Sequence, residues 1–309
     1  MKIASIDIGS NTVLLLIAKV NKQGKIFPII NEYRMPRIST GLAKTGTISE
    51  KSVTKLFDVL TEYKKIIENN KCDKTIVNGT QALRTALNGD TIRQKIKDQF
   101  GFTLNIIEGE TEALYSFLGA ISSFPKNKNY LMIDIGGAST EIVHGNYNNI
   151  FFRKSFPIGV VIGKEKFLRG NPPNAKEINE LNNTLNNIFK ELGKTELNTS
   201  QIIAVAGTPT TLTALKLKLT EYSETKVEKS IITKSDLEFF ADRFGKLPYD
   251  KIKEYFSPII NGREDVIFVG TLILLHLVNL FKKDKIYVSG RGLRYGAIIA
   301  FFNKNKNLF

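Results

Sequence analysis

"MIDIGGASTEIV" at residues 132–143 and "SIDIGSNTVLLL" at residues 5–16 share one pattern. In each, an apolar run reaches an aspartate, turns through glycine and small hydroxyl residues, and continues as a second apolar run. Short apolar runs bounded by Gly and Ser read as strands joined by a tight turn. Glycine tolerates positive φ and admits a ligand close to the backbone, so successive N–H groups of such a turn can converge on one phosphate oxygen. An aspartate at the strand end can hold Mg²⁺ directly or through water. One copy alone reads better as a plain glycine hairpin with an Asx-type turn. Two copies, each opening a similar half of the chain, read as the two jaws of a phosphate clamp.

Working outward, "KIASIDI", "TVLLLIAKV" and "KIFPIINEYRM" form a three-strand meander. Residues 49–70 follow with Val53, Leu56, Phe57, Leu60 and Tyr63 at helical spacing behind a Ser49 cap. Strand and helix patterns then alternate through "KTIVNGT", "QALRTAL", 90–99, "FTLNIIEG" and "ETEALYSFLGAISSF". After the polar, Pro-containing stretch at 123–129 the order restarts. It runs through "YLMIDIG", "TEIVHG" and "IFFRKSFPIG", a helix over 175–193, the strand "QIIAVAG", further helix, the strand "DKIYVSG" and a closing helix "RYGAIIAFFNK". The expected domains are residues 1–124, joined by the C-terminal helix at about 295–309, and residues 125–294. The closing helix is expected to pack on the first.

A chain of 309 residues with 42% hydrophobic content is long enough for two such cores. One cysteine, Cys72, leaves no intrachain disulfide framework or multi-cysteine metal site, which fits a cytoplasmic location. The opening residues do not read as a signal peptide. The most apolar stretch, 266–281, is too short to span a bilayer and reads as a buried helix, so no membrane partner is expected. The formal net charge of +14 attracts polyanions, yet no zinc-finger, RNA-binding or basic-zipper signature marks a dedicated nucleic-acid partner. His144 and His276 lack metal-ligand spacing.

The two hairpins resemble the phosphate loops of the actin-like ATPase superfamily. Within it, the chain resembles the exopolyphosphatase / guanosine pentaphosphate phosphatase family. The blocks that carry the resemblance are "IDIGSNT" (6–12), "GTQALRTALN" (79–88), "IIEGETEA" (106–113), "IDIGGASTEIV" (133–143), "AGTPTTLTAL" (206–215), "REDVIFVGTLILL" and "VSGRGLRYGAI". The resemblance implies two actin-like (ribonuclease H-like) α/β domains, each a mixed sheet flanked by helices, with a cleft between. It implies that Glu112 activates the attacking water and that Asp134 and Glu141 hold Mg²⁺ or another divalent cation, potassium being a further candidate. Asp7, Gly9, Ser10 and Asn11 of the first turn would contact phosphate, as would Gly136, Gly137, Ala138 and Ser139 of the second. Arg84 is a further substrate contact, since a guanidinium fork suits phosphate. Gly207 and Thr208 stand between a strand and a helix, where free N–H groups attract anions. Arg291 and Arg294 in the closing turn are also candidate phosphate contacts. Leu114 and Ile162 depart from the family, whose members commonly carry arginine there.

The expected reaction is Mg²⁺-dependent release of terminal phosphate from inorganic polyphosphate or guanosine pentaphosphate, by a homodimer, with a role in the stringent response for the latter substrate. Two alternatives stay open: an ATP-dependent small-molecule kinase of the same superfamily, and a non-catalytic nucleotide- or alarmone-binding regulator.

Overall fold

The computed structural model describes residues 1–194, 197 and 201–308. The chain divides into two units, Met1–Ser122 with Gly292–Phe309, and Ser123–Arg291. In the first, β1 (Lys2–Ile8), β2 (Val13–Val20) and β3 (Ile26–Arg34) form an antiparallel meander. After α1 (Leu42–Thr45), α2 (Glu50–Asn69) starts at Ser49, whose hydroxyl accepts the Ser52 N–H. It buries Val53, Leu56, Leu60, Tyr63 and Ile67 against the sheet. Then come β4 (Lys74–Gly79), α3 (Gln81–Thr85), α4 (Gly89–Phe100), β5 (Leu104–Ile106) and α5 (Gly109–Ile121). The sheet order is β3-β2-β1-β4-β5, with β1, β4 and β5 parallel. Their carboxyl ends therefore deliver Asp7, the turn into α3 and the turn into α5 to one edge, the edge where α/β sheets bind ligands.

The second unit repeats the scheme. A meander of β6 (Tyr130–Ile135), β7 (Thr140–Gly145) and β8 (Ile150–Phe156) leads into α6 (Val160–Phe167) and α7 (Ala175–Phe189). A capping box between Asn174 and Glu177 fixes where α7 begins. The helix expected over 175–193 closes at Phe189, and a 3₁₀ segment, Lys190–Lys194, follows. Next come β9 (Gln201–Val205), α8 (Gly207–Lys216), α9 (Glu224–Val227), β10 (Ile231–Thr233), α10 (Lys234–Lys246), α11 (Tyr249–Phe256), α12 (Ile267–Leu280) and β11 (Lys285–Val288). The sheet order is β10-β11-β9-β6-β7-β8, with β6, β9 and β11 parallel. α12 is the apolar stretch, buried almost throughout. Among the described residues no helix is long and apolar enough to cross a membrane. Each unit is thus a mixed sheet flanked by helices, the expected fold class.

α13 (Leu293–Lys304) rejoins the first unit, where Tyr295 and Ile298 pack with Ile3, Leu16, Ala18, Val20 and Ile26. Gly119 and Gly296 let α13 approach α5 at backbone distance, since a Cβ at Gly296 would collide with the Tyr115 carbonyl. Here one expectation is corrected. Arg294 is 6% exposed and donates to the Leu15 carbonyl at 3.1 Å and to Asn31 Oδ1, so it serves the core of this unit and not a phosphate. The last residue of the stretch expected at 295–309, Phe309, lies outside the described residues.

Candidate active site

The two hairpins share one hydrogen-bond plan, each within its own unit. In the first, the Gly9 N–H donates to the Thr12 carbonyl at 3.0 Å; in the second, the Gly136 N–H donates to Ser139 at 2.9 Å. Each bond closes a turn around two central residues, Ser10 and Asn11 or Gly137 and Ala138. Among the described residues, the N–H groups of those four make no hydrogen bond within the chain. A tight turn with two adjacent unused amides is a nest for an anion.

Each turn is braced from behind by a different device. The Arg37 N–H donates to the Asn11 carbonyl and the Ser39 N–H to Ser10, both at 3.1 Å. Arg37 takes φ 52° to do so, a left-handed conformation that is costly for arginine. Behind the second turn, the first N–H groups of α6 take its carbonyls: Val160 donates to Gly136 at 3.0 Å and Val161 to Gly137 at 2.7 Å. Only glycine fits at 159, because a Cβ there would meet the Gly136 carbonyl and the Gly137 backbone. Neither brace was foreseen, because both are contacts between segments remote in sequence.

Arg84 and Glu112 meet. Arg84 lies in the last turn of α3 and Glu112 in the first turn of α5. Arg84 Nη1 donates to Glu112 Oε2 at 3.1 Å and to the Ile107 carbonyl at 2.6 Å. Both side chains are roughly a quarter exposed, so the pair is partly shielded yet open to solvent. Asp7, one residue from the end of β1, is level with Asn78 on β4. Asn78 is 2% exposed, and its Nδ2 has no hydrogen-bond partner. No pattern in the sequence marked this residue.

In the second unit Asp134 and Glu141 are direct cross-strand partners of β6 and β7. Their side chains share a face about 5 Å apart at Cβ, where two like charges repel unless a cation lies between them. Ser155 Oγ donates to Glu141 Oε1 at 2.8 Å and orients it. Two hard carboxylates suit Mg²⁺, which keeps several waters and needs few protein ligands. Among the described residues there is no cluster of three or more His, Cys, Asp or Glu side chains placed to hold a metal ion.

Gly207 and Thr208 open α8 beyond Ala206, which takes φ 72°. The Arg263 guanidinium rests on Gly207, where any Cβ would displace it, and Thr208 is buried against Gly270. This turn is therefore tightly built, with a cation beside the helix start that the sequence did not place there. Arg291 lies instead beside Glu224, its Nε 3.4 Å from the carboxylate. Burial lowers the pKa of His144 and of His276, whose ring packs on Phe189, and raises that of the Cys72 thiol.

The chain resembles known proteins along nearly its whole length. A family model described as the Ppx/GppA phosphatase family matches residues 16–305. A bifunctional 3-dehydroquinate synthase/phosphatase of Fusobacterium nucleatum is 32% identical over 96% of this chain, which spans 46% of that protein's length. Exopolyphosphatase 2 of Mycobacterium tuberculosis is 27% identical over 97% of this chain and 98% of its own. The crystal structure of the Aquifex aeolicus Ppx/GppA family member aligns with a TM-score of 0.85 at 32% identity, covering 98% of both chains. The chain belongs to the Ppx/GppA phosphatase family.

Proposed function

We propose that the chain hydrolyses phosphoanhydride bonds, releasing the terminal phosphate of inorganic polyphosphate, with guanosine pentaphosphate as the second substrate the family brings into view. The observation that carries this reading is the Arg84–Glu112 pair, standing at the same sheet edge as a turn with two unused amides. Each unit supplies one such turn, and backbone amides fixed in this way stabilise phosphate charge without reorganising during reaction. Glu112 accepts a proton from water as the oxygen attacks the terminal phosphorus. The bridging P–O bond breaks, and its electron pair leaves on the shortened chain. Arg84, already bonded to Glu112, orients that carboxylate and offers its remaining N–H groups to phosphate oxygens. Asp134 and Glu141 would hold Mg²⁺, which supplies charge neutralisation along the phosphates.

The test is phosphate release from polyphosphate, guanosine pentaphosphate and ATP by the native chain and by Glu112→Gln. Removing a general base is expected to lower kcat by roughly 10²- to 10⁴-fold with folding intact. Equal turnover in the variant would sink the assignment. Phosphate transfer from ATP to an added acceptor would favour the kinase.

A further inference from the structure

The face of the first unit's sheet that packs against α13 carries a short polar line in an otherwise apolar surface. Alternation along β1 lays it out. Ala4, Ile6 and Ile8 belong to the core under α2, whereas Ile3 packs with Tyr295 and Ile298 of α13. Ser5 and Asp7 therefore share the face of Ile3. β4 runs parallel beside β1, with Ile76 level with Ser5 and Asn78 level with Asp7. Ile76 packs with the α13 cluster and Val77 with the α2 core. Asn78 thus stands on the same face as Ser5 and Asp7.

Two of these three side chains carry an unmatched polar atom deep inside. Ser5 is 0% exposed and Asn78 2%, and neither Ser5 Oγ nor Asn78 Nδ2 has a hydrogen-bond partner. The lateral neighbours of Ser5, Leu16 on β2 and Ile76 on β4, are apolar and offer none. Burying polar groups unpaired costs free energy, and native proteins keep such groups where a water or a function claims them. Ser5 and Asp7 are two residues apart, roughly 7 Å at strand rise, and β4 lies about 5 Å to the side. A water set among Ser5, Asp7 and Asn78 has about three polar partners, which is ordinary for a buried water.

We propose that Asn78 is a positioning residue for Asp7, acting through one buried water that it shares with Ser5. The water accepts from Asn78 Nδ2 and Ser5 Oγ and donates to the Asp7 carboxylate. Asp7 is partly buried, at the edge where the Ser10–Asn11 turn opens, so this bond fixes how the carboxylate lies beside that turn. Asn78 itself touches no phosphate and moves no proton; it limits where Asp7 can point. Phosphoryl transfer asks a protein chiefly for such positioning, and small misplacements are expensive in rate. The catalytic consequence rests on the hydrolase reading above; the water site does not.

The test reads stability and turnover in the same variants: Ser5→Ala, Asn78→Leu, the two combined, and Asn105→Leu. Asn105 is level with Asn78 on β5 but exposed, and serves as the control. Leucine keeps the approximate volume of asparagine without its polar atoms. With the water in place, each single variant strands a buried partner and lowers the urea midpoint. The double variant removes both ends and should be no less stable than the worse single one. With tripolyphosphate, kcat is expected to fall about ten- to hundredfold in Asn78→Leu and in the double variant alike. Asn105→Leu should stay near native in both readouts. Turnover that stays low where stability has returned is a pattern that a merely structural residue does not give. Single variants at least as stable as the native chain, or strictly additive losses, would overturn the shared water. Native kcat in the double variant would overturn the positioning of Asp7. If the native chain hydrolyses nothing, the hydrolase reading fails, and the stability cycle by itself decides the water site.

Discussion

Arg84 spends one guanidinium nitrogen on two acceptors, the Ile107 carbonyl and the Glu112 carboxylate, and so ties the proposed base to the strand end before α5. A lysine could reach one acceptor but not keep a planar fork aimed at phosphate. Hydrogen bonds to charged groups are worth about 1.5–3 kcal/mol. Arg84→Lys is therefore expected to lower kcat/KM by roughly ten- to hundredfold, checked by steady-state phosphate release alongside a melting curve that stays near native. Unchanged kcat/KM would mean that Arg84 only braces the loop. Arg84 and Arg294 also mark where sequence reading reaches its limit. Both sit in helices near small residues, and both read as phosphate contacts. Arg84 is partly open, beside an acid. Arg294 is consumed by a carbonyl on β2 and by Asn31 on β3, partners almost the whole chain away. Nothing local to either arginine distinguishes them, because the difference is made by tertiary packing.

The elements that were legible are those whose signal is local. β1 and β6 announce themselves through apolar runs ending in Asp-x-Gly, α2 through its 3.6-residue stripe and Ser49 cap, and α12 through its unbroken apolar length. α6 was not, because it opens at Gly159 without a side-chain cap and draws its first partners from the Gly136–Gly137 carbonyls. Nor was β10, whose three residues are held only by pairing with β11. The contact of α5 with α13 is also invisible locally, although its glycines are plain in the sequence. It supports a sharp comparison. Gly296→Ala drives a Cβ into the Tyr115 carbonyl, whereas Gly292→Ala, at the start of the same helix, meets open space. Overpacking against backbone typically costs 1–3 kcal/mol, so denaturant midpoints should fall by about that equivalent for Gly296→Ala. Gly292→Ala should change by less than about 0.5 kcal/mol. Equal effects would show that α13 shifts to accept the methyl group.

Across the whole molecule the backbone passes between units twice, after Ser122 and after Arg291, and one partly buried carboxylate gathers both crossings. Glu228 accepts from Ser123 Oγ just past the first crossing, and from Ser289 Oγ and the Gly290 N–H just before the second. Lys229 adds its ammonium over the Phe124 ring, while Arg291, paired with Glu224, supplies the nearby positive charge. Burial raises the Glu228 pKa above its ordinary value of 4.5, and the hydrogen bonds and Arg291 only partly oppose it. The sign of the pH effect follows. Below about pH 4.5 the group is neutral both folded and unfolded, and its ionisation costs nothing. As pH rises from about 4.5 towards the elevated folded value, the unfolded chain ionises freely while the folded one must hold its proton, so stability falls; above the folded value the loss is complete. Glu228→Gln cannot ionise. Urea midpoints of the two proteins from pH 4 to 8 should therefore separate with rising pH, the native chain losing ground to the variant, and then run parallel. A gap that instead moves in the native chain's favour as pH rises would mean that the donors around Glu228 outweigh its burial and that the ionised form clasps the two crossings.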